Sequence, residues 1–471
     1  MDPGGDSPDP WDGGRADRHA LSPSVATVRP FQGIRYDPQK VDLARVVAPP
    51  YDVISPRDQV RYYQQDPHNV VRLIAGEVRI SDNPEDNKYT RAAGFFTEWL
   101  RKGVLRREPG PCLYIYRHQF VDPGTGLTHS RRGILGVVEL EPFGDGVLPH
   151  ERTHARAKAD RLSLTRAVEA NLSPVFALYE DPRSAVGPIV VAAMARTPEL
   201  SITGVDGDQH TIWSLSGAQP VKELAAVFSA SRLYIADGHH RYETALNFRD
   251  KQRHEHPEAP PDAAFNYVLM LLVDVQDSGL IILPTHRVLH DLEGFDAPAF
   301  MRRLAVRHHV LPRADRAALL AAMNEPTPDH RIGLAFAQTS PSTLVGEGRG
   351  GGLPTFATVD IKRRPTRDPV SQLDVAVLHR EILEGELGLQ ELLLEQERYV
   401  SYAREVDAVL DRAAAGEAQA AFLVRPPAVS DVVAVARAGQ VMPQKSTYFY
   451  PKPASGIVFN PLDAAIRIAP T

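Results

Sequence analysis

Asp237-Gly238-His239-His240-Arg241 puts an acid, a glycine, two imidazoles and a guanidinium in five consecutive positions. Such a set can seat anionic oxygens. Arginine forks onto a phosphate, the histidines add donors whose charge switches near neutral pH, and glycine lets the backbone come close. The flanking residues must hold this set in place. Leu233-Tyr234-Ile235-Ala236 reads as a buried strand, and from Tyr242 the apolar positions Ala245 and Leu246 take up helical spacing. A strand that feeds a Gly-containing turn into a helix N-terminus aims unpaired amides outward, where an anion docks. The same pattern has an ordinary structural use, because Asp237 is a good N-cap and Asp-Gly is a common turn. Two adjacent histidines and an arginine exceed what a turn requires. Asp237 to Arg241 are therefore read as a binding seat, with His239 and Arg241 also as catalytic groups.

Further stretches carry reactive or anion-binding residues. His150-Glu151-Arg152-Thr153-His154 formally matches the His-Glu-x-x-His zinc pattern. That pattern needs a helix with an apolar face, whereas Pro149 precedes it and Arg152, Arg156 and Lys158 flank it, so a metalloprotease is not expected. The phosphotransfer reading fits better. Thr153, Lys158 and Arg161 offer donors to a phosphate or carboxylate, and Glu151 or His150 can take a proton from an attacking hydroxyl. A solvated, charged helix from Ala155 to Ala170 accounts equally for most of these charges. Near the start, Ala48-Pro49-Pro50-Tyr51-Asp52 makes a stiff turn in which Asp52 either meets a ligand or secures its own backbone. Thr285-His286-Arg287 follows a strand end, where site residues and plain loops are both common. Late in the chain, Met442-Pro443-Gln444-Lys445-Ser446-Thr447-Tyr448-Phe449 sets Lys445, Ser446 and Thr447 between prolines and aromatics, with Lys445 the natural partner for a phosphate.

Asp237-Gly238-His239-His240-Arg241-Tyr242 resembles the signature of the bacterial and archaeal family termed domain of unknown function 1015. Ala48 to Ser55, Asn69-Val70-Val71-Arg72-Leu73, His150 to Thr153, Lys158 to Leu162, Pro284 to Arg287 and Met442 to Phe449 resemble further segments of that family, in the same order. The turn alone is also similar to the phosphate-contacting box of the ParB/sulfiredoxin superfamily, which includes partition proteins, sulfiredoxins and free-serine kinases. This second resemblance implies an α+β (mixed α/β) fold with a ParB/sulfiredoxin-like core around the strand, turn and helix, elaborated by further α/β modules. It implies ATP or ADP with Mg²⁺ as cofactors, the metal on Asp237 or Asp52, and a kinase-like transfer to a small hydroxyl metabolite such as free serine. The nucleotide would rest on Asp237 to Arg241 with Lys445, Ser446 and Thr447. The substrate would meet Asp52, Thr153, Arg161, His286 and Arg287. A nucleotide-hydrolysing switch of the ParB type and a phosphate-ester hydrolase stay open beside it. Sulfiredoxin chemistry is not expected, because Gly238 fills the place of the reactive cysteine.

Composition narrows the classes. The 471 residues exceed one hydrophobic core, so several domains are expected. A net charge of −6 and a pI near 6.3 argue against a nucleic-acid partner. Cys112, the single cysteine, lies in an apolar strand-like run, so it reads as buried and inert in a reducing, cytoplasmic setting. No apolar run reaches the length of a membrane span. The partners expected are thus a nucleotide and a small substrate, with no membrane; oligomeric state is not legible.

The elements follow from periodicity and punctuation. Residues 1–27, rich in Asp, Gly, Pro and Ser, read as a disordered tail. An α/β domain is expected over 28–215, with helices at Pro56–Gln65 and Glu85–Lys102 and a hairpin of Leu113–Val121 with Arg131–Glu141 around Asp122-Pro123-Gly124. The signature region is set at 216–295, and there Tyr267–Val275 is expected to pair with Leu280–Pro284. A variable α/β insertion is expected at 296–357, containing Gly346 to Gly352, which lacks the Lys-Ser/Thr ending of a P-loop. Residues 358–471 then complete the core.

Overall fold

Alternating strands and helices with almost continuously apolar central strands produce two layered α/β units. The computed structural model describes residues 26–152, 155–204, 206–337 and 355–470. One unit comprises residues 1–281 with 451–471, and the other residues 282–450. The fold is mixed α/β.

The first unit is built on a sheet that runs in the order Val147–Leu148, Leu233–Asp237, Val175–Tyr179, Tyr267–Asp274, Thr128–Glu139, Leu113–Val121, Gln209–Leu215, Leu200–Thr203, with Val28–Arg29 added beside Thr128–Glu139. Two pairings are parallel: Leu233 lies opposite Val147, and Met270 opposite Val175. The expected hairpin forms, with Val121 opposite Thr128. Tyr267–Asp274 does not pair with the segment after it, as its spacing suggested. It lies between Val175–Tyr179 and Thr128–Glu139. Every residue from Tyr267 to Val273 is buried, which suits a strand covered on both faces rather than one arm of an exposed hairpin. The strands expected in 28–215 and in 216–281 thus share one sheet.

Helix ends follow their caps. Pro56–Gln65 begins at Ser55, whose side chain and that of Asp58 form a reciprocal capping box. Asn87 caps Lys88–Arg101, so this helix starts three residues later than the apolar spacing alone suggested. Beneath these helices Trp99, Tyr62, Val70, Leu73 and Phe459 form a second core within the unit. Cys112 is buried, and burial pushes its thiol up to about 12. No helix among the described residues is long and apolar enough to cross a membrane.

The second unit has a six-stranded antiparallel sheet in the order His309–Arg313, Phe356–Ile361, His330–Ala335, Ala420–Leu423, His286–Leu289, Val400–Ala403. The segments expected as a separate insertion, 296–357, and as the C-terminal part share this sheet. Residues 346–352 and most of the tail expected at 1–27 lie outside the described residues. The helix expected at Leu373–Leu387 starts as Asp374–Val377 and widens to π-helical turns at Leu378–Glu384.

Asn69 shows how one short family-like segment earns its residues. Fully buried, it donates to the Arg45 carbonyl at 2.7 Å and accepts from the Val71 amide at 2.9 Å, tying two loops at the second core. Asn69→Ala strands these groups away from water and should lower unfolding free energy by about 1–3 kcal/mol in denaturant titrations. Exposed Gln64→Ala should leave the midpoint unchanged.

Candidate functional site

The strand Leu233–Asp237 ends at Gly238, and the 17-residue helix His239–Glu255 begins immediately after. Gly238 has φ +94°, a left-handed conformation that glycine adopts without a Cβ penalty. A Cβ there would also come within 2.9 Å of the Arg241 guanidinium, which folds back beneath the turn. The left-handed backbone requires glycine here, and a Cβ would also displace the guanidinium.

The Arg241 guanidinium donates to Asp237 Oδ2 and to the Pro174 carbonyl. The second Asp237 oxygen, Oδ1, receives Lys452 Nζ at 2.6 Å, and the same ammonium also pairs with Asp52 Oδ2. Asp52, Asp237, Arg241 and Lys452 thus form one chain of alternating charge. Burial works against an ionised Asp237, but Lys452 and Arg241 outweigh it and hold the carboxyl down at about 2. Burial likewise opposes the charge on Lys452, and the two carboxylates more than reverse this, raising its ammonium above the ordinary lysine range. Asp237 and Lys452 are both charged at neutral pH.

The histidines have a different role. Parallel pairing of Val147–Leu148 with Leu233–Tyr234 carries His150 alongside the signature strand, where its Nδ1 donates to the Ile235 carbonyl at 2.7 Å. The His150 backbone amide donates to His239 Nε2 at 3.3 Å, and the two rings meet edge to face with centroids 4.7 Å apart. Burial lowers His150 to about 4, and burial with the neighbouring His150 lowers His239 well below its ordinary value. Both rings are neutral at pH 7. His239, expected as a donor to phosphate, instead uses Nε2 as an acceptor inside the protein. His240 is half-buried, as is Glu151.

Beside the turn, the helices Ala155–Val168 and His239–Glu255 border a small cleft of about 50 Å³. Arg241 and Thr244 come from the signature helix, Arg161 from its neighbour, and Tyr51, Asn171 and Ser173 from connecting segments. Arg161 donates to Asp160 and to the Ile74 carbonyl, and its guanidinium stacks 3.9 Å over the Tyr51 ring. Asp160 also accepts from Lys88 at 2.6 Å and Tyr89 at 2.8 Å.

Of the sequence-expected residues, Asp52, His150, Asp237, Gly238, His239 and Arg241 gather at the turn, and Arg161 lines the cleft. Thr153 lies outside the described residues. His286, Arg287, Lys445, Ser446 and Thr447 belong to the second unit. There Arg287, fully buried, donates to the carbonyls of Thr285, Gln444 and Lys445, and His286 Nδ1 accepts from the Val424 amide. Ser446 is buried against the Pro443 carbonyl. The ammonium on Asp237 is that of Lys452, which sequence reasoning passed over for Lys445. Its signal was present: Pro451 and Pro453 bracket Lys452 in a stiff, extended strap. Glu243 was also missed; buried on the signature helix, it pairs with Lys158 Nζ at 2.8 Å.

Asp237 was expected to hold Mg²⁺. The place a divalent ion would take between Asp52 and Asp237 is filled by the Lys452 ammonium, and Arg241 takes the other Asp237 oxygen. Among the described residues, no group of three or more His, Cys, Asp or Glu side chains is arranged to hold a metal. This donor set does not fit a resident Mg²⁺.

The family model described as protein of unknown function (DUF1015) matches residues 28–376, most of the chain. The chain belongs to that family. The DUF1015 match ends before Lys452, so the central cation of the turn lies beyond the matched residues. No curated protein matches the chain. Among solved structures, a conserved hypothetical protein from Pyrococcus furiosus is similar over 65% of this chain and 89% of that one, at 13% identity and a TM-score of 0.31. A free serine kinase in complex with AMP is similar over 65% and 86%, at 14% identity and a TM-score of 0.31. SbnI with a C-terminal truncation, from Staphylococcus aureus, is similar over 67% and 82%, at 11% identity and a TM-score of 0.31.

The neutral histidines set a pH dependence. As pH falls below about 6.5, the unfolded chain takes up protons that buried His150 and His239 refuse, so folded-state stability should fall between pH 6.5 and 4. His150 alone should contribute up to about 3 kcal/mol across that window. The depressed Asp237 adds stability above about pH 4 that is lost only as pH drops towards 2. Urea midpoints measured from pH 4 to 7 should show the first slope. His150→Asn, which keeps a donor near the Ile235 carbonyl without titrating, should flatten it.

Proposed function

We propose that the chain is a nucleotide-dependent phosphotransferase acting on a small hydroxyl compound, with free serine the first acceptor to test. The observation that carries this reading is the chain of charge from Asp52 through Lys452 and Asp237 to Arg241, set at a helix N-terminus beside an open cleft. Phosphoryl transfer asks a protein to position groups and to neutralise charge rather than to form covalent bonds. Two cations fixed at one turn, with the first amides of an α-helix, are suited to that task.

In this reading the donor phosphates rest on the amides after Gly238 and on Arg241. Lys452 turns from its carboxylates onto the transferring phosphoryl group. That movement frees Asp52 to take the proton of the acceptor hydroxyl, with Glu151 the second candidate base. The acceptor oxygen then bonds to phosphorus, the phosphorus–oxygen bond to the departing nucleotide breaks, and the freed proton stays on the carboxylate. His150 and His239 hold the turn in place as neutral groups. Any Mg²⁺ involved arrives with the nucleotide, and no step is assigned to a resident ion.

Incubation with ATP or ADP and a panel of hydroxyl-bearing amino acids and small alcohols, followed by phosphorus NMR, tests the reading. A phosphorylated acceptor is the expected product. Phosphate release without any acceptor product would make the protein a hydrolase or a nucleotide-driven switch. Arg241→Ala should weaken nucleotide binding about 10- to 100-fold, the loss of charge-assisted hydrogen bonds. Lys452→Met should lower turnover more than it raises KM. A wild-type protein whose melting temperature ignores both nucleotides would sink the proposal.

A further inference from the structure

The small cleft between the helices Ala155–Val168 and His239–Glu255 contains a group that nothing in the fold uses. Thr244 is 3% exposed, lines the cleft, and its Oγ1 is buried with no hydrogen-bond partner among the described residues. A buried hydroxyl left unpaired is costly, and native proteins rarely keep one without a ligand, a water or strain to account for it. Two guanidinium groups line the same cleft, and both keep donors that the described residues do not take. Arg161 donates from Nε and Nη2 to Asp160 and from Nη1 to the Ile74 carbonyl, which leaves one N–H on each terminal nitrogen. Arg241 donates from Nη1 to the Pro174 carbonyl and from Nη2 to Asp237, so its Nε–H remains.

Size and charge limit what can enter. The cleft holds about 50 Å³. A single water needs about 10–15 Å³ on that scale, so the content is a group of a few heavy atoms. No acid stands among the described lining residues, and Asp160, the carboxylate paired with Arg161, is shared with Lys88. One positive charge is therefore left over. A single carboxylate answers it, with two oxygens that suit the forked donors of a guanidinium, whereas a phosphate dianion exceeds it. Ile74, Leu164, Leu172 and Val268 make the remaining wall apolar. Such a wall accepts a short carbon chain and leaves an ammonium without a partner, which a buried charge does not tolerate.

We infer that this cleft seats the carboxylate of the acceptor: Arg161 and Thr244 Oγ1 hold its oxygens, and the substrate class is a small hydroxy acid without an amine. The inference rests on the phosphotransfer reading, which seats the donor phosphates at Gly238 and Arg241. Arg241 and Thr244 are three residues apart on one helix, a rise of about 4.5 Å. Arg241 borders both the cleft and the turn, so a hydroxyl one or two carbons from the carboxylate spans the step between them. Thr244 and Arg161 are then specificity-determining residues for the acceptor, and the nucleoside lies outside the cleft.

Calorimetric titration of the full-length chain with glycerate, glycerol, serine, inorganic phosphate and ADP tests this. Glycerate should bind, serine should bind more weakly, and glycerol, which has the hydroxyls without the carboxylate, should not bind measurably. Thr244→Val keeps the shape and removes the hydroxyl. It should leave the melting temperature unchanged or slightly raised, weaken glycerate about five- to tenfold, and leave ADP unaffected. Arg161→Gln should weaken glycerate further and again spare ADP. Unchanged glycerate affinity in Thr244→Val, or glycerol binding as tightly as glycerate, would overturn the carboxylate seat. Serine binding at least as tightly as glycerate would overturn the exclusion of an amine. Inorganic phosphate binding more tightly than glycerate, and weakened equally by Thr244→Val, would make the cleft a phosphate site instead. ADP binding without glycerate binding would overturn the inference and leave the phosphotransfer reading standing. Thr244-dependent glycerate binding with no phosphorylated product from ATP or ADP would support the seat and remove that reading.

Discussion

A single ammonium group decides the state of this protein's central turn. Lys452 lies between Asp52, which is exposed, and Asp237, which is mostly shielded from water. Charges removed from water must be paired with good geometry or they destabilise the fold. Here the pairing extends through Asp237 to Arg241 and on to the Pro174 carbonyl, so each charge is answered by an opposite one or by a dipole. Removing an interior member, Lys452 or Asp237, leaves an end of the network, Asp52 or Arg241, without its opposite charge. The network therefore behaves as a unit.

The strap that delivers Lys452 is secured on both sides of it. Arg131, fully buried beneath the Phe120 and Phe176 rings, donates to the Pro451 carbonyl at 2.6 Å. Past Lys452, Ser455 exchanges backbone hydrogen bonds with Ala48, and its hydroxyl lies 2.6 Å from that of Ser173. Phe459 exchanges two more with Ile34. Ala48 and Ser173 belong to the segments that carry Asp52 and Pro174, so the strap, the proline-rich turn and the signature strand fix one another. Such anchoring limits how far Lys452 can travel.

The paired histidines show how motif and role can differ. His239 and His240 beside Arg241 suggest cations, yet burial makes the neutral form of His239, and of its neighbour His150, the stable one. Positive charge at the turn is left to groups that keep it under burial: a guanidinium, and an ammonium held by two carboxylates. The second unit uses a buried arginine differently. Arg287 joins the strand His286–Leu289 to the loop around Gln444 and Lys445 through carbonyl oxygens, which gives the Pro284–Arg287 and Met442–Phe449 segments a structural use within one unit.

What the amino-acid order settled is what depends on neighbours in the chain. The strand, Gly turn and helix at 233–255, the hairpin at Asp122-Pro123-Gly124, the helix Pro56–Gln65 and the burial of Cys112 were legible because period, caps and turn residues act over a few positions. That Asp237, Gly238 and Arg241 meet at one turn was legible for the same reason. Lys452 was not, since its partner Asp52 lies 400 residues away and no local pattern encodes that meeting. The central place of Tyr267–Asp274, the contact of His150 with His239, and the division at Ile281 and Tyr450 were likewise decided only when distant strands paired. Propensity and spacing act through the backbone nearby. Burial, charge pairing and strand order are properties of the space the folded chain encloses, and only the tertiary structure defines that space.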